Sequence, residues 1–158
     1  MEREVHFLGG NGWVPNNPAH PVVIYRSALP EGPDPAERFE RLFADHGWPP
    51  DWRDTIYDYH HYHSSAHEAL GIACGSAKLM LGGPDRLATT VSAGDALLLP
   101  AGTGHCRMDA SEDFLVVGAY PKGQQWDICR DAPSEEARRR IASLPMPGDP
   151  VLGPDGER

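Results

Sequence analysis

Cysteine, long apolar runs and positive charge are all scarce in this sequence. The three cysteines, Cys74, Cys106 and Cys129, are odd in number and widely spaced, which excludes the paired framework of a secreted disulfide scaffold. They are expected as reduced, half-buried small side chains. No stretch approaches the roughly 18 consecutive apolar residues that a membrane span requires, and Met1-Glu2-Arg3-Glu4 does not open like a signal peptide. Lys and Arg number 14 against 23 Asp and Glu, a formal charge of −9. Such acidity repels phosphate backbones and anionic lipid, so neither nucleic acid nor a membrane is an expected partner. A cytoplasmic protein is the reading these absences leave.

What is present points to short strands. The chain has 158 residues, a length that suits one domain spanning 1–158 with its own core. With 17 Gly and 16 Pro, turns are frequent and long helices few. Asn11 to Pro21 reads as a loop, and Val22 to Tyr25 as a buried strand. A helix is predicted over 35–46. Asp34 is its N-cap, Pro35 occupies the first turn, and Glu37 completes a capping box. Phe39, Leu42, Phe43 and His46 share one face, His46 as a packing or capping residue, and Gly47 with Pro49-Pro50 ends the helix. Ala69–Cys74, Lys78–Leu81, Ala88–Val91, Ala96–Leu99 and Phe114–Tyr120 read as strands separated by glycine turns. That rhythm predicts an all-β antiparallel sandwich or barrel with its core over 22–120. A second, C-terminal helix is expected over 134–144, followed by an extended tail at 145–158 lying along its own barrel or a neighbouring subunit.

Four of the eight histidines, His60, His61, His63 and His67, crowd together just before Glu68. On a strand His61 and His63 face one way while His60 and Tyr62 face the other. Ser64-Ser65-Ala66 can turn the chain so that Glu68 returns to the same place, and His105 follows a later glycine-rich turn. Imidazole with carboxylate suits one divalent transition metal, Fe, Mn, Ni, Cu or Zn. The His61-x-His63 spacing taken alone fits a run of surface histidines equally well.

The two blocks together resemble a family. His61-Tyr62-His63-Ser64-Ser65-Ala66-His67-Glu68, with Gly75 beyond, is similar to the first cupin motif. Gly94 through Pro100-Ala101-Gly102 to His105 is similar to the second. Pro15-Asn16-Asn17-Pro18 and the block His60 to Lys78 resemble the small bacterial cupins of the YjlB-like kind, a finer likeness that carries no established activity. The resemblance implies a double-stranded β-helix, or jelly-roll barrel, with metal ligands His61, His63, Glu68 and His105. His67 is the alternative to Glu68, because some cupins space the carboxylate position one residue closer. Asp109 stands where the second motif often has asparagine.

Cupin barrels hold their metal inside the barrel mouth, so residues sharing the ligands' parity are expected to line it: Tyr57 and Tyr59, then Leu70, Ile72 and Cys74, then Arg107 and Asp109. Arg107 and Tyr59 are the candidate catalytic groups beside the metal, Arg107 as partner of a substrate carboxylate or of a rim acid. Cys106 is expected to face away, and Trp126-Asp127 either to close the barrel or to meet another subunit. The expected function is a small-molecule metalloenzyme of the non-haem dioxygenase or oxidoreductase type. A redox-silent isomerase or lyase, or a non-catalytic sensor, is the alternative. A homodimer is expected by resemblance, and the histidine ligands imply metal affinity that falls below about pH 6 through proton competition.

Overall fold

Val22-Val23-Ile24-Tyr25 and Ala96-Leu97-Leu98-Leu99 are buried at every position, a pattern that only a sheet covered on both faces produces. The computed structural model describes residues 1–154, and within them nine strands form two antiparallel sheets. The strands are β1 (Glu2–His6), β2 (Val22–Arg26), β3 (Pro50–Asp54), β4 (Glu68–Cys74), β5 (Ser76–Leu81), β6 (Leu87–Ser92), β7 (Ala96–Leu99), β8 (His105–Ala110) and β9 (Leu115–Ala119). The larger sheet runs β1-β2-β7-β4-β9-β3 and the smaller β6-β5-β8. With two short helices, α1 (Pro35–Asp45) and α2 (Glu135–Ser143), this is a small all-β, jelly-roll-like fold.

One face of the larger sheet packs through Ile24, Leu70, Ile72 and Leu97 toward Leu79 of the smaller one. Its other face is covered by α1, whose Phe39 and Phe43 pack with Tyr25, Ala69 and Leu98. The stripe expected on α1 is there, and its end is a tight one. Gly47 adopts a positive φ of 84°, and the amides of Gly47 and Trp48 turn back to the carbonyls of Ala44 and Phe43. This is the Schellman arrangement, with buried Trp48 making the hydrophobic contact beyond the helix. The expected capping box is not formed. Asp34 sits at φ 50° and its side chain caps nothing, because a side-chain cap needs the extended backbone of an ordinary N-cap. The second helix does have such a cap: Ser134 is extended, and its Oγ accepts the Ala137 amide at 3.1 Å.

Three strands escape the apolar pattern. β1, β3 and β8 lie at sheet edges, where backbone pairing on one side suffices and an apolar run is not needed. The sheet therefore begins at Glu2, well before the barrel core expected from Val22. The tail lies along its own chain as far as it is described. Tyr25 donates to Asp149 Oδ2 at 2.6 Å, Trp48 Nε1 to Gly148 O at 2.8 Å, and Val151 is buried in the α1 cluster. His46 ends the helix as a packing residue, its Nδ1 bound to the Pro150 carbonyl at 2.8 Å. Positions 155–158 of the expected tail lie outside the described residues.

The Pro15–Pro18 segment is more than a loop. Asn16, 1% exposed, donates to Gly9 O and Gly82 O and accepts the Gly104 amide at 3.0 Å. Asn17 donates to Ala101 O at 2.9 Å and to Ile141 O at 3.3 Å. Together they staple the turn that delivers His105. Asn16→Ala leaves the buried Gly104 amide without a partner, while Gly9 O keeps Arg86 and Gly82 O keeps Asn11, so a stability loss of about 2 kcal/mol is expected in urea unfolding. A loss under about 1 kcal/mol would mean that water replaces these bonds.

Candidate metal centre

His61 and His105 are bridged through their backbones, each amide bonding the other's carbonyl at 3.2 and 2.9 Å. Tyr62 pairs with Cys129 in the same way, at 3.0 and 2.9 Å. The first histidine block is thus a pair of isolated bridges and not the continuous strand expected, yet its alternation survives. His61 and His63 face a common cavity, while Tyr62 packs behind them on Ala101 and Ile141.

His61, His63 and His105 are all buried, and each offers a ring nitrogen within 4.8 Å of the other two. The opposite nitrogens are all tied to backbone: Nδ1 of His61 to Tyr59 O at 3.0 Å, of His105 to Thr103 O at 3.0 Å, and of His63 to Asp127 O. A carbonyl only accepts, so each Nδ1 carries the hydrogen and each neutral ring turns a bare Nε2 lone pair inward. This is how metal-binding imidazoles are oriented. A buried histidine trio could therefore hold a metal ion.

Glu68, 2% exposed, enters from the first residue of β4. Its Oε2 accepts the Tyr120 hydroxyl at 2.6 Å. Its Oε1 is buried with no hydrogen bond, 3.4 Å from His63 Nε2 and 3.3 Å from His105 Nε2. Burial alone would raise the Glu68 pKa, but the attraction of the His63 and His105 rings holds it well below the carboxylate range. Burial pushes His61 down to about 3, reinforced by His105. At His63 burial also acts downward, and the Glu68 carboxylate overrides it to raise the pKa.

His67 is turned elsewhere. Its Nδ1 accepts the Ala101 amide at 2.8 Å and its Nε2 meets Leu144 O at 3.1 Å, so both nitrogens serve the fold, and it is Glu68 that stands against the histidines.

The surrounding cavity, about 240 Å³, is walled by Ile56, Tyr57, Leu70, Tyr120 and Trp126 among others. Leu70 lines it and Ile72 lies deeper in the same core. Cys74 does not follow them inward. A register shift between Ile72 and Cys74 turns it toward the α1 cluster, as a bulge reverses parity. Asp109 is exposed, its Oδ1 accepting the Ala110 amide at 2.9 Å. Arg107 and Tyr59 line a neighbouring cleft together with Cys106, apart from this cavity. The Thr55–Tyr57 segment runs beside β8, Tyr57 O accepting the Arg107 amide at 2.9 Å, and its side chains form the wall between. The guanidinium is held there by Thr55 Oγ1 at 3.0 Å and faces the rim acid Asp58 at 3.9 Å.

Trp126 closes the cavity of its own chain, its Nε1 donating to Asp51 Oδ2 at 2.8 Å and its ring stacked on Tyr120. Asp127 serves the site twice, its carbonyl orienting His63 and its carboxylate accepting the Ser64 amide at 2.6 Å. Sequence reasoning missed Tyr120 and Trp52. The β4–β9 register aligns Ala69 with Ala119, and continuing it by one residue sets Tyr120 opposite Glu68. Trp52 crosses Gly118, where an added Cβ would lie 2.1 Å from the indole, and donates to the Tyr120 hydroxyl at 2.8 Å.

No family model matches this chain. It is 39% identical to the uncharacterized protein YjlB of Bacillus subtilis strain 168 in an alignment of 158 residues, which covers 97% of this chain and 93% of that protein. Such identity over nearly the whole of both sequences requires a shared strand order and core, and the chain belongs to the YjlB family.

Proposed function

We propose that the chain is a cupin that binds one divalent transition metal through His61, His63, Glu68 and His105 and acts on a small molecule as a non-haem dioxygenase or related oxidoreductase. The observation that carries this reading is the convergence of three imidazoles, each locked by its Nδ1 onto a backbone carbonyl, beside a buried carboxylate oxygen with no hydrogen bond. A buried, unsatisfied carboxylate oxygen is costly, and a cation at the three nitrogens relieves it. Nitrogen and carboxylate donors in this mixture fit Fe, Mn, Ni, Cu or Zn. Bound there, the ion would supply Lewis-acid and, for iron, redox chemistry to a substrate oxygen or sulfur.

The chain's own groups do the rest. Ile56, Leu70 and Trp126 give apolar walls to a cavity of about 240 Å³, smaller than the roughly 300–1,000 Å³ of drug-sized sites, which fits a substrate of few atoms. Tyr120 holds Glu68 and presents its ring to the cavity.

Metal analysis of untagged protein tests the site. Near-stoichiometric metal is expected in wild type and in folded His67→Ala, and its loss in His61→Ala and Glu68→Ala. Metal absent from every preparation, even after reconstitution, would sink the proposal. Oxygen uptake over β-diketones, thiols and catechols then tests the reaction type. Turnover that persists without oxygen would replace it with a redox-silent isomerase or lyase, and metal binding with no turnover would leave a sensor.

A further inference from the structure

The cleft beside the histidine cavity has a chemistry of its own. It measures about 600 Å³, opens to solvent, and is lined by Trp13, Tyr59, Arg107 and Arg130 among others. The two spaces share a wall. Tyr57 lines one and Tyr59 the other, their rings stacked 5.0 Å apart at 15°. The Arg130 guanidinium carbon lies 3.9 Å from the Tyr59 ring centroid, so guanidinium and phenol rings form a row along the cleft.

Two arginines line this one cleft. Acidic residues outnumber Lys and Arg 23 to 14, and where they pair closely an arginine is neutralised, as Arg26 is 2.8 Å from Glu4 and Arg53 2.6 Å from Glu40. Arg107 has only Asp58 at 3.9 Å, an acid whose side chain is 72% exposed. Arg130 has no ion pair among the described residues and is held by the face of Tyr59. Two guanidiniums lacking a close carboxylate, one anchored by Thr55 and one by an aromatic ring, form a site for an oxyanion, since the guanidinium fork matches carboxylate and phosphate oxygens.

We propose that this cleft binds the carboxylate or phosphate group of a small organic anion between Arg107 and Arg130. The site needs no metal and does not rest on the function proposed above. Its anion has two sources, the charged end of a molecule whose other end enters the histidine cavity, or a separate anion.

The test is titration of benzoate and of inorganic phosphate into metal-free and metal-loaded protein, followed by tryptophan fluorescence and amide chemical shifts. Saturable binding is expected in wild type and in His61→Ala, weakened about tenfold or more in Arg107→Gln and in Arg130→Gln. Both variants lie at the rim, so the fold tolerates them. Tighter benzoate binding to the metal-loaded form identifies one molecule spanning both spaces, and equal binding identifies a separate anion. Absence of saturable binding by either probe, or binding that both substitutions leave unchanged, overturns the proposal.

Discussion

Tyr120→Phe is expected to weaken divalent-metal binding by about 10–100-fold, the range seen when groups that orient metal ligands are removed. The hydroxyl has one proton to give. Trp52 Nε1 can only donate and does so to the Tyr120 oxygen at 2.8 Å, which leaves the phenol proton for Glu68 Oε2 at 2.6 Å. One carboxylate oxygen is thereby saturated and the other, Oε1, remains bare toward the histidines. Burial, followed by the Glu68 charge, raises the Tyr120 pKa beyond the ordinary phenol range, so it remains a donor at any working pH. Without the hydroxyl, Oε2 and the indole N–H lose their partner, and Glu68 is free to rotate. Zinc and cobalt titrations measure the affinity, and the visible spectrum of the cobalt form reports ligand geometry, which a merely less stable fold would leave alone. Affinity within about twofold of wild type, with an unchanged cobalt spectrum, would remove Tyr120 from this role.

Metal affinity is also expected to fall about tenfold per pH unit once the proton on His63 must be displaced. Glu68 raises the His63 pKa against the effect of burial, so competition begins above the ordinary histidine value of about 6.5. That onset is higher than the pH of about 6 expected for unperturbed histidines. His61, held down at about 3, carries no competing proton in this range. The sign for the metal-free protein is opposite. A group whose folded pKa is raised adds stability below its unfolded pKa and loses it as pH rises through the folded value. The stabilisation gained from metal therefore grows with pH and shrinks toward acid. Thermal melts with and without zinc between about pH 8 and pH 5 measure it, and a metal-induced shift that stays constant across that range would contradict a site built on His63.

The residues differ in how far they could be read without coordinates. The buried strands at Val22 and Ala96, the α1 stripe and the histidine cluster beside Glu68 were legible because each rests on neighbours in sequence: continuous apolar runs, helical spacing, motif-like histidines. The edge strands β1, β3 and β8 were not, since pairing there depends on a partner's backbone and leaves polar side chains in place. Asn16 and Asn17 looked like turn residues because turns and buried clamps use the same side-chain amides, and only the distant Gly82, Gly104 and Ala101 distinguish them.

The site divides along the same line. The histidine spacing by itself left a run of surface histidines open, and the resemblance of two short blocks to known motifs singled out His61, His63, Glu68 and His105, which line one cavity. Tertiary contacts alone turned both His67 nitrogens to Ala101 and Leu144. They also placed Tyr120 across from Glu68 and moved Arg107 and Tyr59 into a separate cleft. Each of these outcomes depends on strand register or on a segment far away in sequence. A shift of one residue in register reverses the face a side chain meets, and periodicity within one strand carries no record of its neighbour's register.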